Sequence, residues 1–144
     1  MNGVVPDIEQ QVKAFAMGRV GLGAVALVAP RSALRRWMGP ESDGPDNRML
    51  ARMLGGRDVA IGLGTLFALK HGGSVRGWLE AAAVADAADL LASLAGARQM
   101  KRLTVLGTAG AALGGVLWGR RLVGQVAAAT GRPGAAGAAG AVAG

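Results

Sequence analysis

Asp86 and Asp89, in the stretch "EAAAVADAADLLASLAG" from Glu80 to Gly96, are the first side chains in this sequence that could do chemistry. On a helix they lie roughly 60° apart, because each residue turns the chain by about 100°. Ala82, Ser93 and Gly96 share their side, while Val84, Leu91 and Leu94 lie opposite. Two carboxylates on a small, polar face can hold a proton, a cation or a small polar ligand. They can also be neutralised by arginine in an ion-pair network that only fixes helix register.

The cations for such a network stand in two other apolar segments. "GGRDVAIG" supplies Arg57, whose planar guanidinium can grip a carboxylate through two parallel hydrogen bonds, and Asp58 beside it. "MGRVGLG" supplies Arg19 at a similar depth. Arg19, Arg57, Asp58, Asp86 and Asp89 are therefore expected to form a buried polar cluster between helices, with Arg57 placed opposite Asp86. Glu80, close to Trp78, is expected at an interface with water.

Other chemistries lack their residues. Cysteine is absent, which removes thiol nucleophiles, disulfides and thiolate metal sites. The single histidine, His71, falls in "KHGGSVRG", a glycine-containing loop, and no Ser–His–acid arrangement can be argued. No catalytic residue and no metal ligand set is assigned. "GLGAVA" (Gly21–Ala26) has the letters of a dinucleotide fingerprint, but it lies inside an apolar helical run with no preceding strand. Close helix packing accounts for it, and no cofactor is expected.

These residues must be positioned by helices. Apolar residues make up 51% of the 144, aromatic ones only 3%, and there are 25 glycines. Such a composition suits helices that approach one another through small residues in lipid. Four apolar segments stand out, at about 14–30, 50–69, 77–97 and 103–122. The last contains Leu103–Gly119, 17 residues without a charge. Its apolar groups surround the helix, which a small water-soluble bundle cannot bury on every side. A central aspartate costs about 2.5–3.5 kcal/mol in lipid and a leucine returns only ~0.3–0.6, so the third segment depends on its neighbours.

The expected fold is therefore all-α: an integral membrane four-helix bundle over residues 1–125, followed by an Ala/Gly-rich tail over 126–144. Asp7 and Glu9 before the first apolar run argue against a cleaved signal peptide. The formal charge of +7 does not imply nucleic acid, because the basic residues cluster between apolar runs, as in Arg31, Arg35 and Arg36 or Arg120 and Arg121. "RSALRRW" reads as a short amphipathic interface helix, and Trp37, Trp78 and Trp118 fall near expected helix ends. Basic residues divide almost evenly between the two faces, so orientation stays open.

Small residues recur every fourth position in two segments: Gly56, Ala60, Gly64 and Ala68, then Gly107, Ala111, Gly115 and Gly119. Each ladder presents a shallow groove to a neighbouring helix, in this chain or another copy. "VGLGAVALVAPRSALRRW" (Val20–Trp37) also aligns without gaps on "IGLGTLFALKHGGSVRGW" (Ile61–Trp78), which is compatible with two related helical hairpins.

The runs "GRVGLGAVALVAPRSALRRW", "LARMLGGRDVAIGLG" and "WLEAAAVADAADLLASL" together resemble a family of small actinobacterial integral membrane proteins of unknown function, broadly similar to DoxX-like four-helix membrane proteins. The resemblance covers Val12 to Leu122, and its most specific elements are Gly56-Arg57-Asp58 and the pair Asp86 and Asp89. It implies a four-helix bundle crossing the bacterial inner membrane several times, and it supplies no reaction. The expected role is a structural or accessory membrane subunit, with the lipid bilayer and another copy or another membrane protein as partners. The alternatives are a proton- or ion-coupled small-molecule carrier using the cluster, and a membrane enzyme acting on a lipophilic substrate.

Overall fold

The computed structural model describes residues 6–99 and 102–130, and all regular structure among them is helical. The helices are α1 (Pro6–Val28), α2 (Pro30–Met38), α3 (Pro45–His71), α4 (Val75–Ala95) and α5 (Arg102–Thr130). Short 3-10 turns occupy Pro40–Ser42 and Ala97–Gln99. Pro30 and Pro45 each stand at the start of a helix, where a missing N–H costs nothing and the ring presets φ. Pro30 also separates α2 from α1. Gly72 ends α3 in the left-handed conformation (φ 73°), and the Ser74 hydroxyl accepts the Gly77 N–H at 3.1 Å to start α4.

The four long helices pack as two antiparallel pairs, α1 with α3 and α4 with α5. In the first pair the backbones touch. A Cβ built on Gly23 would lie 2.5 Å from the Gly55 carbonyl oxygen, and one on Gly55 would lie 2.6 Å from that of Gly23. Further along, a Cβ on Gly62 would lie 2.7 Å from the Ala16 oxygen. Only glycine permits this approach, and the close van der Waals contact is its return.

The expected ladders sit differently. In α3 the tight face is Gly55 and Gly62, not Gly56 and Ala60: Gly56 meets only Leu27, at 3.9 Å, and Ala60 is exposed. Gly64 is covered by the Trp78 ring of α4. In α5, Gly119 lies against Leu79 and Ala83 of α4, Gly115 seats the Asp86 carboxylate, Gly107 approaches Trp37, and Ala111 is exposed. Four-residue spacing identifies a face but not which side of it a neighbour will choose. The matched glycines of the internal alignment also differ in use, since Gly21 has open space around it where Gly62 touches backbone.

The apolar core fills one end of the bundle. Val12, Phe15, Ile61, Leu69, Val75, Leu79, Leu122 and Val126 are buried there, from the start of α1 and α4 and the end of α3 and α5. Leu122 and Val126 explain why α5 continues to Thr130, past the expected start of the tail at 126. The rest of that tail lies outside the described residues. Trp118 consequently falls in the middle of α5 rather than at a helix end.

Large apolar side chains also cover the outside, Val28, Phe67, Val84, Leu91 and Leu106 among them. Among the described residues one helix is long and apolar enough to cross a membrane, Asp7–Val28, with a mean hydropathy of 1.3. The other long helices fall short on that measure for identifiable reasons. α3 carries Arg48, Arg52, Arg57 and Asp58, and α4 carries Arg76, Glu80, Asp86 and Asp89. The uncharged run of α5 is diluted by glycines and bracketed by Arg102 and Arg120.

Candidate functional site

Three of the four long helices bring charge inward at the level where the apolar core stops. Arg19 reaches from α1, Arg57 and Asp58 from α3, and Asp86 and Asp89 from α4. The structure joins all five in one chain of ion pairs. Arg19 Nη1 donates to Asp58 Oδ1 at 2.8 Å, and Arg19 Nη2 is ion-paired with Asp86 Oδ2. Arg57 Nη2 also donates to Asp58 Oδ1, at 3.2 Å, so that one oxygen serves both guanidinium groups. Arg57 then holds Asp89 with two bonds, Nη1 to Oδ1 at 2.9 Å and Nη2 to Oδ2 at 2.6 Å.

The pairing therefore differs from the one expected from sequence. Arg57 takes Asp89, and Asp86 belongs to Arg19. The three-residue step from Asp86 to Asp89 is about 4.5 Å along the helix axis, enough to give each carboxylate its own arginine.

Depth divides the network. The Arg19 and Asp86 side chains are 9% and 11% exposed, whereas those of Arg57 and Asp89 are 30% and 32% exposed. The deep pair is also the less satisfied one. Asp86 Oδ2 touches Arg19 without hydrogen-bond geometry, and Arg19 Nε is buried with no hydrogen-bond partner. Arg19 Nη2 makes a long contact of 3.5 Å with the Ala82 carbonyl. Its guanidinium carbon lies 5.3 Å from the Phe15 ring centre, a cation–π arrangement, and Phe15 meets Trp118 edge-on at 5.4 Å.

A cavity of about 550 Å³ opens on this network. All five charged residues line it, together with Phe15 and Leu22 of α1, Leu54 of α3, and Ala112, Gly115 and Trp118 of α5. Trp37 of α2 completes the lining, its indole N–H donating to the Thr108 hydroxyl of α5 at 3.1 Å. Local sequence explains that position. Pro30 and Leu34 anchor α2 inward, and the Ser42 hydroxyl bonds back to the Leu34 and Gly39 carbonyls. One wall of the cavity is charged and the rest is apolar and aromatic.

Phe15, Trp37 and Thr108 carry no sequence signal for this site, because their roles depend on which helices meet. Gly115 was legible as a packing residue, but not as the seat of Asp86. The remaining sites of interest lie apart. Glu80 is exposed and accepts from Arg76 Nε at 2.7 Å, and exposed His71 stacks on Phe67 at 4.1 Å. A depression of about 760 Å³ at the core end, lined by Glu9, Lys13, Lys70 and His71, contains none of the network. Among the described residues no group of three His, Cys, Asp or Glu side chains could hold a metal ion.

Comparison with models of known protein families, with characterised proteins and with solved structures finds no match to this chain.

Proposed function

We propose that this chain is a four-span membrane protein whose interhelical cavity binds a small amphiphilic molecule. The observation that carries the reading is the coincidence of the Arg/Asp network with a cavity whose other walls are apolar. A ligand's polar group would meet Arg57, Asp58, Asp86 or Asp89, and its apolar body would lie against Phe15, Leu22, Leu54 and Trp118. Sites of this kind are concave and mostly apolar, with a few convergent polar groups that fix orientation. The membrane part of the reading is supported by the large apolar side chains outside, the inward charges and the backbone contact at Gly23 and Gly55. The likeness to DoxX-like bundles belongs to the same proposal.

A second reading is favoured by the geometry of the pairs. α1 and α3 touch α4 and α5 only sparingly, and Arg19–Asp86 and Arg57–Asp89 bridge that gap. The network is then a clamp in an accessory membrane subunit, with no ligand.

Thermal unfolding in nanodiscs against a panel of cationic, anionic and neutral amphiphiles separates the two. Binding to the folded state raises the midpoint by mass action. Ligand binding predicts that at least one charge class raises it for the native chain and not for Gly114→Leu, which fills the cavity from a position with open space around it. No shift with any class would leave the clamp.

A further inference from the structure

We propose that the molecule taken by this cavity is a lipophilic organic cation, an ammonium or phosphonium centre on an apolar body. The inference rests on the ligand-binding reading above and names its chemical class.

Charge supplies the first argument. With every group ionised, three aspartates face two arginines, and the network carries one uncompensated negative charge. Away from water such a charge is costly until a cation joins it. An anionic ligand would instead add a second.

The distribution of hydrogen bonds points the same way. Both terminal nitrogens of each arginine are directed at aspartates, so the network has few donors to offer. The acceptor side has capacity left. Asp86 Oδ2 is sealed against Arg19, but a carboxylate can accept about four hydrogen bonds, and the Asp58 and Asp89 side chains, 26% and 32% exposed, line the cavity. Arg19 Nε lacks a partner, but it is a single donor on a guanidinium already shared by two carboxylates.

Aromatic rings supply the third argument. Phe15, Trp37 and Trp118 all line the cavity, and ring faces attract organic cations, most strongly once water is excluded. Arg19 already occupies such a position over Phe15. The indoles of Trp37 and Trp118 offer the same to a ligand. A volume of about 550 Å³ lies inside the range of drug-sized sites.

The test uses two ions of the same shape and opposite charge. The full chain in phosphatidylcholine nanodiscs is dialysed against tetraphenylphosphonium or tetraphenylborate, with binding to empty discs subtracted. The expected result is saturable uptake of about one phosphonium per chain and no saturable uptake of the borate. Asp86→Asn should weaken phosphonium binding by roughly tenfold or more. Should Asp86→Asn fail to fold, Trp37→Leu leaves the network intact and should weaken binding by about threefold or more through the lost ring. Borate binding as well as phosphonium, or phosphonium binding unchanged in both variants, overturns the inference. If neither ion binds while another amphiphile still raises the unfolding midpoint, the cation assignment alone falls. If nothing binds, the ligand-binding reading falls with it.

Discussion

Arg57 on α3 grips Asp89 on α4 with both terminal nitrogens of its guanidinium, at 2.9 and 2.6 Å, across the interface between the two helical pairs. Deeper in the bundle Arg19 makes the corresponding bridge from α1 to Asp86, and Asp58 links the two arginines. The pairs are thus held by charge at the level where apolar packing gives out. The same charges form one wall of the cavity.

Arg19 is the most deeply placed cation, and its removal leaves Asp58 and Asp86 facing each other. Arg19→Met is expected to cost about 3–5 kcal/mol, as when one partner of a buried pair is lost. Arg19→Lys should recover only part of this, because an ammonium cannot span two carboxylates as a guanidinium does. Chemical unfolding in detergent micelles measures both. An Arg19→Lys variant as stable as the native chain would show that the bridge to Asp86 contributes little.

Glycines that touch backbone should respond differently from glycines that do not. Gly23→Ala or Gly55→Ala places a methyl group against a carbonyl oxygen of the facing helix and should cost about 1–3 kcal/mol or more. Gly21→Ala, with nothing within 4 Å, should be neutral or stabilising by up to about 1 kcal/mol. The unfolding midpoints of the three variants provide the comparison, and equal losses would contradict the α1–α3 contact.

Much of this is legible in the sequence, and what is not has a physical cause. The charges of the network could be named because arginine and aspartate inside apolar runs have few places to go except one another. Their pairing could not, since Asp86 and Asp89 differ by less than one helical turn and either could meet Arg57. Helix periodicity located small faces in α3 and α5, yet the α1–α3 contact uses Gly55 rather than its neighbour Gly56. A rotation of 100° decides that, and it depends on the partner helix. The cavity was invisible because it is made by what α1, α4 and α5 fail to fill.

Because the sequence has no cysteine, labelling of single introduced cysteines tests the four-span proposal directly. In the four-span reading, single cysteines at Gly44 and Ala97 should be labelled from one side of the membrane by an impermeant maleimide, and one at Gly73 from the other. Labelling of all three from a single side would contradict four crossings.

Occupation of Gly115 by a side chain should disturb the deep pair without removing a charge. A Cβ there would collide with the Asp86 carboxylate, so Gly115→Ala should displace Asp86 from Arg19 and lower stability by about 1–3 kcal/mol. Combined with Asp86→Ala, the same change should cost much less than it does alone. Simple additivity in unfolding experiments would mean that Asp86 does not occupy that seat.

The most direct measurement is a double-mutant cycle with charge reversal on Arg57 and Asp89. Arg57→Asp and Asp89→Arg, each alone, place like charges together and should lower the unfolding free energy by about 2–4 kcal/mol. The exchanged pair should regain at least about half of the summed loss, because the same bridge re-forms with its ends reversed. A double variant as unstable as the sum of the single losses would contradict the bridge between the helical pairs.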